Sequence, residues 1–152
     1  MTKGGIGMYD AIDIAKYIIN LCTSRGTPIS DLQLQKILYY IQINFFRNYG
    51  KAAFENQIEA WQYGPVVPDV YELFGVYGAA KICKFYVGIE RWFSDAEKKL
   101  IEKVVDACLE LTAWELVEKS HRVGGPWEAT YQRGRKVEIP IEKIKEYALS
   151  EG

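Results

Sequence analysis

Side chains able to do covalent chemistry are few in this chain and stand apart. The single histidine, His121, follows Ser120, and the three cysteines, Cys22, Cys83 and Cys108, are scattered along the sequence. Nucleophilic catalysis needs a nucleophile held within reach of a base. His121 could serve Ser120 or any of the cysteines, but no spacing favours one pair over another, and a lone histidine is more often a hydrogen-bonded structural residue. One histidine, with no clustered cysteines or paired acids at ligand spacing, does not make a zinc site. No metal or cofactor is expected. Gly124-Gly125-Pro126 is glycine-rich but is not followed by the Lys-Ser/Thr of a phosphate-binding loop, and no GxGxxG occurs. Glu97 and Glu115 stand where helix capping explains them. Glu118 and Glu128 fall on first turns or solvated faces. The expectation is a protein that is not an enzyme.

What does stand out is a pair of aromatic-proline corners. Ala60-Trp61-Gln62-Tyr63-Gly64-Pro65-Val66-Val67-Pro68 puts two large aromatics, a glycine and two prolines into one short run. Ser120-His121-Arg122 with Gly124-Gly125-Pro126-Trp127 repeats that chemistry further on. The structural reading is that Trp61 and Trp127 plug the core while Gly64-Pro65 and Gly125-Pro126 set turns. A rigid loop loses little entropy on binding, so a recognition surface beside these corners is also expected.

The elements that must position these corners read as helices. Met8, Ala11, Ile12, Ala15, Ile18, Ile19 and Cys22 recur at steps of three and four, an apolar helical stripe stopped by Gly26-Thr27-Pro28. Ser30-Asp31-Leu32-Gln33 is a capping box opening a second helix, which Gly50 ends. That helix carries Leu34, Ile37, Leu38, Ile41, Phe45 and Tyr49 on one face, with Tyr39, Tyr40, Ile43 and Phe46 off it, so it belongs at the centre of the core. Residues 56–63 permit a short strand, and 81–87 a second. Pro68 opens a helix running to about Tyr77 and closed by Gly78. Ser94-Asp95-Ala96-Glu97 and Thr112-Ala113-Trp114-Glu115 are two further capping boxes. Pro126 begins a short helix ending near Gly134, and a last helix follows Pro140. The fold class is mainly α: a compact single-domain bundle of six or seven helices with at most a short two-stranded β element.

Length and composition agree. The chain has 152 residues, 49% of them hydrophobic, enough for one domain with an ordinary core. Nineteen basic and twenty acidic residues leave a net charge of -1, which gives no global pull toward nucleic acid or anionic membrane. The cysteines sit in apolar stretches without CxxC spacing and read as buried free thiols of a reducing compartment. With no signal peptide and no apolar run of membrane-spanning length, a cytoplasmic location is expected. Eleven tyrosines leave self-association into a homo-oligomer open, although no heptad seam supports it.

Residues 10–49 form helix, turn, helix, and a helix-turn-helix regulator of transcription is the alternative function. Its reading helix would offer Gln33, Gln35, Lys36, Gln42, Asn44, Arg47 and Asn48. The cluster Arg133, Arg135, Lys136 is too short for a basic stripe. A polar, solvated helix face explains these residues better, and nucleic acid is not an expected partner.

Several of these segments together resemble a known family. Leu38-Tyr39-Tyr40, the run Ile58 to Tyr71, Ser120-His121-Arg122 and Gly125-Pro126-Trp127-Glu128 are similar to the Panacea domain, also called the SocA-like antitoxin domain, which phage-associated and GepA-like proteins share. The resemblance spans roughly residues 10–150 and sets the domain at 8–150, after a flexible N-terminal segment 1–7. It implies a mostly helical domain of bacteria, phages and mobile elements. Members act as antitoxins, neutralising a cognate toxin protein by direct contact, and the family is paired with many unrelated toxins. Neutralisation would proceed by occlusion of the toxin or by its delivery to a host protease. The motif residues Tyr39, Tyr40, Trp61, Tyr63, Gly64, Pro65, Val66, Pro68, His121, Pro126 and Trp127 would then maintain the scaffold, with partner choice in variable surface. The length leaves no room for a separate DNA-binding domain, so any autoregulation would fall to the first two helices.

Overall fold

The computed structural model describes residues 8–151; the expected flexible segment 1–7 lies outside them. Helix α1 (Ala11–Ser24) starts at Asp10, whose side chain accepts from the Ile12 amide, and α2 (Asp31–Tyr49) starts at the predicted Ser30/Gln33 capping box. Gly50 ends α2 in the left-handed conformation. The hairpin of β1 (Glu59–Trp61) and β2 (Gly64–Val66) follows, then α3 (Pro68–Phe74) with Pro68 at its first position and a 3-10 turn at Gly75–Tyr77. A second 3-10 turn at Ile89–Trp92 precedes α4 (Asp95–Leu109), α5 (Ala113–Ser120), α6 (Pro126–Thr130), β3 (Val137–Glu138) and α7 (Ile141–Glu151). The capping boxes at Ser94/Glu97 and Thr112/Glu115 are both closed. The expected class holds: seven α-helices and one small sheet among the described residues.

The core is organised around α2, which packs against α1, α3, α4, α5, α7 and β2. Leu34, Ile37, Leu38, Ile41, Ile43 and Phe45 are fully enclosed, and each such side chain contributes roughly 1.5–3 kcal/mol of burial. A helix packed on most of its sides has little face for its polar residues, so Asp31, Gln35, Lys36 and Gln42 are buried with the apolar ones, while Arg47 and Asn48 stay exposed at its C-terminal end. Each polar group must then find a partner inside. The Gln42 carboxamide accepts from the Ala53 and Phe54 amides (2.7 and 3.3 Å) and donates to the Phe54 carbonyl (2.8 Å), pinning the chain between α2 and β1.

The sheet has the order β2-β1-β3, all antiparallel, with Glu59 opposite Val66 and Trp61 opposite Gly64. Pro65 is tolerated because β2 is an edge strand. Two expectations fail here. The partner of β1 beyond the hairpin is the short β3, not residues 81–87, which form no strand. Asn20 explains why: its side chain donates to the Tyr86 carbonyl (2.7 Å) and accepts from the Tyr86 amide (2.6 Å), while the Ile82 amide donates to the Ile29 carbonyl. Those backbone groups are satisfied by a side chain and a loop, so no neighbouring strand is needed. The helix begun by Pro126 ends at Thr130, four residues short of Gly134, and Cys83 is exposed while Cys22 and Cys108 are buried.

Candidate functional site

A cleft of about 730 Å³ opens between the N-terminal half of α2, the β1–β2 hairpin, the end of α3 and residues 131–136. Its geometry follows from how α2 grips the hairpin. Lys36 Nζ donates to the Pro65 carbonyl at 3.1 Å, and Gln35 Oε1 accepts from the Val67 amide at 2.8 Å. Gln35 Nε2 donates in turn to Asp31 Oδ1 at 3.1 Å. Gly64 must approach this grip closely. A Cβ there would lie 2.6 Å from both Lys36 Cε and Ser120 Oγ, and its φ of +109° disfavours any side chain.

The second corner locks onto the first. The Trp127 indole N–H donates to the Trp61 carbonyl at 2.7 Å. The Trp127 ring lies between His121 (centroids 3.7 Å, planes 8° apart) and Tyr131 (4.6 Å, 14°). The Tyr39 hydroxyl meets the Trp127 backbone from α2. The motif residues Tyr39, Trp61, Gly64, Pro65, His121 and Trp127 therefore form one connected cluster with Lys36 and Ser120. Pro126 starts α6, and Pro68 starts α3 in the same way.

Trp61 departs from expectation. It is only half-buried, because its ring forms a wall of the cleft and does not fill the core. Its N–H donates to Glu59 Oε1, Tyr71 packs edge-on at 4.9 Å, and Lys136 Nζ lies 3.9 Å above the ring. Tyr63 is half exposed and packs edge-on with Trp114, itself 57% exposed, at 6.0 Å. Val66 is buried at the cleft floor. Tyr40 points elsewhere, into a separate depression with Arg47, Cys108 and Tyr147, where Lys119 Nζ lies 5.1 Å from its ring.

No catalytic pairing emerges at His121. Its Nε2 is buried without a hydrogen-bond partner, and Ser120 Oγ donates to the Val117 carbonyl. Burial, with the Lys36 charge adding to it, holds the imidazole below its usual pKa and hence neutral. Burial likewise pushes the Cys22 thiol up to about 11 and Cys108 to about 12, which makes both poor nucleophiles.

Sequence reasoning put Gln35 and Lys36 on a solvated face and Asp31 in the capping box. Asp31, Gln35 and Lys36 are interior groups. Burial lowers the Lys36 pKa to about 7, and burial raises that of Asp31 against the opposing effects of Gln35 and Lys36. The signal was present in a helix already assigned apolar residues on several sides, since such a helix has little solvated face left. The same burial removes Gln35, Lys36 and Gln42 from any base-reading role, and of the residues such a helix would offer only Arg47 and Asn48 are exposed.

Comparison with known proteins places this geometry. The family described as Antitoxin SocA-like, Panacea domain, matches residues 34–128, from the first turn of α2 through α6. The chain belongs to this family. Antitoxin SocA of Caulobacter vibrioides (strain NA1000 / CB15N) is 30% identical over 129 residues, covering 78% of this chain and 69% of that protein. No solved structure gives a significant match. The Panacea match takes in both aromatic-proline corners and the Lys36 grip between them. Asp31 and the cleft wall at residues 131–136 lie outside it.

Proposed function

We propose that this protein is an antitoxin that neutralises a cognate toxin protein by direct binding, one molecule for one molecule, in the cytoplasm and without catalysis. The observation that carries the reading is the Antitoxin SocA-like family match over the segments that build the two-corner cluster, together with the likeness to Antitoxin SocA. The site's chemistry supports it. Polar interior groups beside the cleft hold the chain of the hairpin and its exit, as with Lys36 on Pro65 and Gln35 on Val67. No helix among the described residues is long and apolar enough to cross a membrane.

Antitoxin and toxin genes are commonly neighbours, so the test is co-expression with the protein encoded by the adjacent reading frame. That protein expressed alone should arrest growth, and this chain should restore it and co-purify with the toxin as a complex. Growth arrest that this chain leaves unchanged, at confirmed soluble expression, would sink the reading.

A further inference from the structure

We propose that the cleft between α2, the β1–β2 hairpin and residues 131–136 is the seat of the toxin, and that it takes a toxin segment presenting an aromatic or large aliphatic side chain beside a carboxylate. This rests on the antitoxin reading and adds the surface and the chemistry of what it receives.

The apolar half of that chemistry is read from the walls. Trp61, Tyr71 and Val66 give the cleft an apolar lining. At its edge Tyr63 and Trp114 form an edge-on pair, 50% and 57% exposed. Trp114 has no capping duty, because Thr112 and Glu115 close the box around it. Exposed tryptophan and tyrosine on a fixed support are the residue types that dominate binding energy at protein interfaces. The shelf they form extends beyond the cleft, which suits a protein segment better than a free small acid.

The carboxylate half is read from charge. Two exposed cations, Arg135 and Lys136, line the cleft, while the buried Lys36 already feels the charge of the one acid there, Asp31. Asp31 is already held by Gln35. Lys36 spends one of its three N–H donors on Pro65, Lys136 lies over Trp61, and Arg135 donates to the uncharged Gln132 side chain. No ion pair to Arg135 or Lys136 forms among the described residues, so an incoming carboxylate would be the counter-charge that the fold does not supply to them. The support is stiff as well. Lys36, Gln35 and Trp127 each tie the hairpin backbone to a helix, so little ordering cost falls on binding.

The test uses the full chain and the protein encoded by the adjacent reading frame, read by titration calorimetry and by growth rescue. Two double variants change the cleft at exposed positions: Arg135→Glu with Lys136→Glu, and Tyr63→Ala with Trp114→Ala. Lys99→Glu with Lys143→Glu makes the same charge change on α4 and α7, away from the cleft. Circular dichroism and thermal melts confirm that all three remain folded. We expect the control to bind and rescue like the parent, and each cleft variant to bind roughly tenfold or more weakly. Parent-like binding by both cleft variants overturns the proposal while leaving the antitoxin reading intact. Equal weakening in the control does the same, since it marks a general charge effect. Failure of the parent to rescue removes both. 3-Phenylpropionate that fills the cleft without displacing the toxin assigns the site to a small acid and also overturns the proposal.

Discussion

The Lys36 amine is fully enclosed by the fold, and the protein's pH dependence follows from it. Burial lowers its pKa to about 7, with Asp31 opposing only in part; in the unfolded chain a lysine titrates near ~10.4. Between those values the unfolded chain holds a proton that the folded chain does not, so stability rises with pH across that interval and is flat below it. The slope is up to about 1.4 kcal/mol per pH unit. The buried thiols of Cys22 and Cys108, whose folded pKa is raised, act in the opposite direction above about pH 9, and His121 acts below its unfolded value of about 6.5. Urea unfolding should therefore show a gain of roughly 2 kcal/mol between about pH 7 and 9. Lys36→Met should be flat over that window and within about 1 kcal/mol of the parent at pH 7, because an apolar isostere removes the desolvation cost along with one hydrogen bond. A parent with no slope would contradict the buried-amine assignment. The two tryptophans divide at the same scale. Trp127→Ala opens a cavity in a stacked, hydrogen-bonded site and should cost about 3–5 kcal/mol. Trp61→Ala, at a half-buried cleft wall, should cost about 1–2 kcal/mol. Equal losses in urea titrations would show that Trp61 is a core residue after all.

At the scale of elements, the helices were legible wherever local chemistry decides the matter. Ser30/Gln33, Ser94/Glu97 and Thr112/Glu115 each satisfy orphan amides within four residues, so spacing alone reveals them. Pro68 and Gly78 bracket α3 and its 3-10 turn for the same reason. What was illegible depends on distant partners. The segment 81–87 has the composition of a strand, yet its hydrogen bonds go to Asn20 and Ile29, which no local pattern announces. The two residues of β3 are too few to show alternation, and β1 alone gives them their role. The candidate site divides in the same way. Both aromatic-proline corners were visible as motifs, but the grip of Lys36 and Gln35 that joins them was hidden in a helix that looked half solvated. Side-chain clamps of this kind have a measurable weight. Gln42→Leu should cost about 2–3 kcal/mol, since it strands buried backbone groups of Ala53 and Phe54 without their partner. Thermal unfolding with hydrogen exchange at residues 52–55 would check it, and unchanged protection there would refute the clamp.

For the whole molecule, the parts add up to a stiff support whose polar interior is spent on holding its own hairpin. α2 touches nearly every other helix, and the two corners close on one another through Trp61, Trp127 and Lys36. Such a body is suited to present a fixed face. The proposed antitoxin would accordingly be consumed in proportion to what it neutralises. The most direct measurement is a titration of purified toxin activity with purified antitoxin at concentrations well above their dissociation constant. The account predicts a linear fall in activity that stops at a fixed molar ratio, with all of the toxin in complex. Complete inactivation by a small fraction of an equivalent, with the excess toxin left uncomplexed, would contradict it.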